Sequence, residues 1–138
     1  MKNTICTGIG LAGATIASAF GGWDTALRTL IIFMAADYIT GLAVAWLGRS
    51  QKTESGGLNS HVGYVGLVKK AVILILVLAA YRLDITLGLD YVRNTVIIGF
   101  TANELISITE NAGLLGVPMP RVIKRAIELL QNKGGDDE

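Results

Sequence analysis

The sequence predicts an all-α integral membrane protein with three to four transmembrane helices and a C-terminal amphipathic surface helix. Three observations predict it. Hydrophobic residues make up 51% of the 138 residues, and the mean hydropathy is +0.53. The apolar residues fall in blocks of bilayer-crossing length rather than in the fine alternation of half-buried strands. Finally, the charged residues gather mainly between those blocks and after the last one. The length fits a single membrane domain, 1–138, and a formal charge of +1 gives no reason to expect a nucleic-acid partner.

The first apolar helix is expected over 5–22. Gly10, Ala14, Ser18 and Gly22 recur every fourth position, as do Gly13, Ala17 and Gly21, giving two adjacent stripes of small residues on one helical face. Such stripes allow close approach of helix backbones in lipid, within one subunit or between subunits. The segment either spans the membrane, lies on its surface, or is a cleaved signal peptide with Ala17-Ser18-Ala19 as the small-x-small site.

A transmembrane helix is expected over 24–48. Trp23 and Trp46 bracket it about 34 Å apart at ~1.5 Å per residue, the spacing of two interfacial anchors. Asp24 and Arg28 stand four apart near one end, in position to pair. Asp37 lies near the middle, where a carboxylate costs about 2.5–3.5 kcal/mol unless it meets a partner or water. It is a candidate for a structural hydrogen bond between helices or for a pore or assembly role.

The polar stretch 49–63 reads as a water-exposed loop, with His61, the single histidine, solvated within it. Cys6 is the single cysteine and is given no role. A second transmembrane helix is expected over 66–83, with Lys69 and Lys70 reaching back to the headgroups.

The third, over 91–112, is amphipathic at membrane length. Thr95, Gly99, Asn103, Ser107 and Glu110 follow one another by three or four positions on one face, with Glu104 and Asn111 flanking them. The row serves either close packing within one subunit or the lining of an opening. On this division Asn103 joins Asp37 in mid-membrane contact, and Glu110 is a contact or gate at the helix end. Gly113, Gly116, Pro118 and Pro120 stop the helix. Residues 120–132 form an amphipathic helix too short to span, expected on the cytoplasmic surface, and 133–138 form a solvated tail.

Nine Lys and Arg fall on one side of a four-span arrangement and three, Arg28, Arg82 and Arg93, on the other. The positive-inside rule then places both termini in the cytoplasm, and the C-terminus stays there if the first segment does not span. Phosphate loops, nucleophilic triads and metal-ligand spacings are missing from the sequence. No enzyme, cofactor or metal is therefore expected.

The residues resemble the phage holins of the phi29/Cp-1 type, which include the holin-like proteins of clostridial toxin loci. Asp37 to Gly41 is similar to the aspartate and glycine of an early span of that family. Ser60, Gly63, Gly66 and Lys70, followed by Leu83-Asp84, resemble its mid-chain pattern. Asn103-Glu104, Ser107, Glu110-Asn111, Gly116, Pro118 and Pro120 resemble its most characteristic stretch. The resemblance covers roughly 23–130; the first segment departs from members with three clear spans.

It implies a holin: a homo-oligomer in the bacterial host's cytoplasmic membrane, multi-pass, that opens holes through which an endolysin causes timed lysis. Its partners would be its own copies and the bilayer, with endolysin acting without required contact and an antiholin as a further possibility. Asp37, Asn103, Glu104, Ser107, Glu110 and Asn111 are the candidate pore or assembly residues. Gly10, Gly13, Ala14, Ala17, Ser18 and Gly21 are the candidate packing residues. An ion-channel or transporter subunit and a toxin-export holin-like protein are the alternatives.

Overall fold

The computed structural model describes residues 1–136, and they form five α-helices: α1 Lys2–Ala19, α2 Thr25–Trp46, α3 Ser60–Leu87, α4 Val92–Leu114 and α5 Arg121–Asp136. No strand occurs among the described residues. Of the expected tail, Asp137 and Glu138 lie outside them. Two helices, α2 and α3, are long and apolar enough to cross a membrane by length and composition.

Helix starts follow from side-chain caps. Asp24 precedes α2 in an extended conformation and accepts from Leu27 N at 3.0 Å, which satisfies one of the orphan donors of the first turn. Asn59 does the same for α3, accepting from the amides of His61 and Val62. The polar loop therefore ends at Asn59, and α3 begins six residues before the expected 66, with His61 in its first turn rather than in a loop. Tyr91 gives α4 no side-chain cap. Its first amides are instead bonded by a residue of the preceding helix: Asp84 accepts from Val92 N at 3.0 Å and from Arg93 N at 2.9 Å.

The chain turns at each connection so that α2 and α4 run parallel and α3 runs against both. Arg93 at the start of α4 meets Asp24 at the start of α2, while Asn111 near the end of α4 reaches Thr40 well along α2. The largest packing surface is between α2 and α4, and α4 also packs on α3 and α5. The core is Leu27, Leu30 and Met34 of α2, Val77 of α3 and Ile97 of α4, with Phe20, Ile73 and Phe100 packed around it.

α1 has no buried residue. Added Cβ atoms at Gly10 and Gly13 meet nothing within 4 Å, and Gly13, Ala14 and Ala17 border an apolar cleft of about 570 Å³ shared with Leu27, Ile31 and Leu74. Ser18 faces a second cleft, beside Tyr81. Gly21 lies beyond the helix, in the α1–α2 turn at φ +86°, where a Cβ would come within 2.8 Å of Arg93 Nε and of the Tyr81 ring. Its smallness serves that turn rather than a helical stripe.

The C-terminal helix does not stand apart as a surface helix. α5 folds back along α4, with Gly134 against Ile98 Cγ2. Ile123, Ala126, Ile127 and Leu130 are half-buried in that contact, while Lys124, Arg125 and Glu128 stay exposed. The reason lies in α4: Thr95, Gly99 and Ala102 are small enough to let a second helix approach.

Candidate functional site: a lysine between two carboxylates

The polar residues of the bundle gather at two levels. At one level Lys70 Nζ lies 2.7 Å from Asp37 Oδ2 and 2.7 Å from Glu104 Oε2, joining α3 to both α2 and α4. These lengths are those of charge-assisted hydrogen bonds. Asn111 completes the cluster. Its amide donates to Asp37 Oδ1 at 3.2 Å, to the Asp37 carbonyl at 3.2 Å and to Thr40 Oγ1 at 2.9 Å. Asp37, Glu104 and Asn111 are all buried.

Local sequence explains why Lys70 points inward. Gly63, Gly66 and Lys70 lie at i, i+3 and i+7, hence on one face of α3. The two glycines leave room for Tyr38, whose hydroxyl lies 3.3 Å from where the Gly63 Cβ would be and whose ring lies 3.8 Å from that of Gly66, and Tyr38 Oη donates to the Gly63 carbonyl at 3.4 Å. With that face against α2, the next residue along it must meet Asp37. Lys69, one position earlier, turns outward and is exposed. The expectation that both lysines reach for headgroups is thus corrected for Lys70. A buried carboxylate pair is strongly destabilised without a cation, and the α3 lysine is the nearest one.

α4 is also rotated relative to the sequence-based expectation. Its inward face carries Arg93, Ile97, Thr101, Glu104 and Asn111, all buried. Asn103 and Glu110 are exposed and Ser107 is half-buried. The candidate residues therefore divide: Asp37, Glu104 and Asn111 come together, whereas Asn103 makes no contact with Asp37. Asn103 and Ser107 border a cavity of about 360 Å³ that also reaches Lys70, Glu104, Lys52 and Thr53. This cavity connects the lysine cluster with the 49–59 loop. Glu110 borders a separate groove beside Ser50 and Lys52.

At the other level Arg93 is the organising residue. Its guanidinium holds Asp24 with two bonds, Nη1 to Oδ2 at 2.8 Å and Nη2 to Oδ1 at 3.0 Å. It also donates to the carbonyls of Phe20 and Gly22. A bidentate arginine fork fits this task because it supplies several donors in fixed directions. Asp24 thus pairs with Arg93 rather than with Arg28, whose Nε donates to the Asp24 carbonyl at 3.4 Å. The sequence reading counts Arg93 among the charges on the non-cytoplasmic side and assigns it no partner; the signal available is its position at the first turn of a helix with no cap of its own.

Chemically, the cluster contains no nucleophile next to a base, and no group of three His, Cys, Asp or Glu occurs among the described residues. Its arrangement suits helix–helix connection. Each of α2, α3 and α4 supplies an ionised or amide group whose burial is tolerable only while the other two are in place.

The model of the bacteriophage holin family matches residues 14–132 of this chain. An uncharacterized protein of Listeria innocua is 41% identical over 128 residues, which covers 91% of this chain and 86% of the relative. A 14.9 kDa protein encoded in the nagH 3' region of Clostridium perfringens is 38% identical over 133 residues, covering 95% of this chain and 96% of the relative. A protein of Bacillus phage phi105 named as a probable holin is 28% identical over 107 residues, 77% of this chain and 74% of its own. No solved structure matches the chain.

Proposed function

The chain belongs to the bacteriophage holin family, and from that premise we propose that it oligomerises in the bacterial cytoplasmic membrane into holes that release an endolysin and time host lysis. The match over residues 14–132 carries this reading, and the likeness to the probable phage holin supports it. The protein acts by assembly and not as an enzyme.

The reading takes α1 to α4 as four crossings, and the antiparallel run of α2, α3 and α4 supports three of them. α4 packs along α2 and beside α3, so it shares their depth, and its Asn111 carboxamide and Glu104 carboxylate are covered by partners instead of lipid. Arg49, Lys52 and Lys69 gather at the end of the bundle that bears the 49–59 loop, and under the positive-inside rule this supports a cytoplasmic loop and N-terminus, with α5 entering the bilayer from the same side. With Lys70 and Arg93 engaged inside the bundle, the excess of free cations remains on that side.

On this reading Asp37, Glu104 and Asn111 hold one subunit together in the bilayer. α1, exposed along its length apart from the half-buried Ala17, supplies contact between subunits. Endolysin passes through the hole without binding the chain, and an antiholin would act by competing for the same subunit contacts.

Inducible expression in bacteria with a cytoplasmic muralytic enzyme tests the proposal. Growth should stop abruptly after a delay, and the enzyme should reach the wall and lyse the cells. Collapse of ion gradients with the enzyme retained would identify a selective channel instead, and undisturbed growth would leave neither reading standing.

A further inference from the structure

α5 lies along α4 for most of its length, and its outward face is polar, with the exposed Val122 and Leu129 along one edge of it. Gly134 packs against Ile98, which is sixteen residues from the end of α4 at Leu114, about 24 Å at ~1.5 Å per residue. If α4 crosses the bilayer, α5 therefore returns far into the hydrocarbon depth. The side facing α4 is apolar: Ile123, Ala126, Ile127 and Leu130 are half-buried there. The seat on α4 is the small row of Thr95, Gly99, Ala102 and Asn103, with Leu130 and Gly134 completing the cleft.

The opposite side of α5 carries Arg121, Lys124, Arg125, Glu128 and Asn132, all exposed. Arg121, Lys124 and Arg125 are close enough to the cytoplasmic end to reach headgroups. Glu128 and Asn132 are not, and a carboxylate facing lipid at that depth is strongly disfavoured. No other helix of the subunit packs extensively on this face. Nothing within the subunit satisfies it, so within the span it needs water or a polar surface of another copy.

We infer that the α4–α5 hairpin is the wall element of the hole: α5 stays docked on α4 in the assembled protein, and its Glu128 and Asn132 side faces the aqueous lumen. The polar row of α4 is then the seat of the lining helix, and is not itself the lining. This inference rests on the hole-forming reading above and on α4 being a span.

The test uses full-length protein with Cys6→Ser, reconstituted in vesicles of phosphatidylglycerol and phosphatidylethanolamine that contain a trapped fluorescent protein. Ile98→Cys with Gly134→Cys is oxidised to lock α5 onto α4. The lock should form, and the locked protein should release the trapped protein as the reduced form does. Spin labels placed singly at Glu128→Cys and Asn132→Cys should be broadened by a water-soluble nickel chelate and lose broadening by oxygen, which concentrates in lipid.

Failure of the disulfide to form, release that requires its reduction, or labels broadened by oxygen in preference to nickel would each overturn the inference. If protein lacking the cysteine pair releases nothing, the hole-forming reading itself fails. Release that is intact but blocked by the lock leaves that reading standing and removes only the lining role of α5.

Discussion

Lys70 and Glu104 meet at 2.7 Å between α3 and α4, inside the helix bundle where neither charge is tolerable without the other. Glu104 is 3% exposed and the Lys70 side chain 15% exposed, so solvent screens the contact little. Removing the cation leaves two buried carboxylates facing each other.

Lys70→Leu should therefore destabilise the bundle by about 3–5 kcal/mol, the range for breaking a buried ion pair from one side. Adding Glu104→Leu should recover a large part of that loss, because Asp37 keeps its bonds from Asn111. Denaturant unfolding of the single and double variants in detergent micelles measures both, and an additive double variant would show that the contact is not coupled.

The two asparagines of α4 should separate in their effects. Asn111→Leu removes three hydrogen bonds to α2 and should cost about 1–2 kcal/mol, the scale for polar contacts between membrane helices. Asn103→Leu, at an exposed position beside α5, should change unfolding of the α2–α4 core little. The same unfolding series compares them directly.

Gly21 and Gly22 both adopt positive φ, +86° and +104°, but only Gly21 is enclosed. Gly21→Ala adds a clash with Arg93 and Tyr81 to the backbone strain of about 1–3 kcal/mol. Gly22→Ala meets open space and brings the strain alone. Gly21→Ala should lower the thermal midpoint more than Gly22→Ala does.

Arg93→Lys keeps the charge and loses the fork. The Asp24 side chain is 48% exposed, so the ion pair itself contributes no more than about 1 kcal/mol. The larger consequence is for the carbonyls of Phe20 and Gly22, which lose directed donors. Hydrogen exchange should rise at the amides of Gly21 to Trp23 and remain unchanged at Leu30 and Met34; equal acceleration throughout α2 would place Arg93 in the global core instead.

The apolar blocks made the helices legible in the sequence, since hydrophobic length and the Gly and Pro stops are local signals. Facing is not local. The row Thr95, Gly99, Asn103, Ser107 reads as the special side of α4 because it is small and polar, yet the side turned to α2 and α3 is the one with Arg93, Glu104 and Asn111. Charged residues went inward because α2 and α3 offered opposite charges there, which no inspection of α4 alone reveals. Lys70 was closer to legible: its spacing from Gly63 and Gly66 puts it on the close-approach face. The seat of α5 lay outside the reach of the sequence, because an amphipathic helix fits a membrane surface and a helix groove equally well.

Release from purified vesicles tests the central claim most directly. The full chain is reconstituted into liposomes holding both a small dye and a folded enzyme of endolysin size, and escape of each is followed as protein density rises. The account predicts that above a threshold density the enzyme escapes together with the dye. Escape of the dye with the enzyme retained at every density would contradict it.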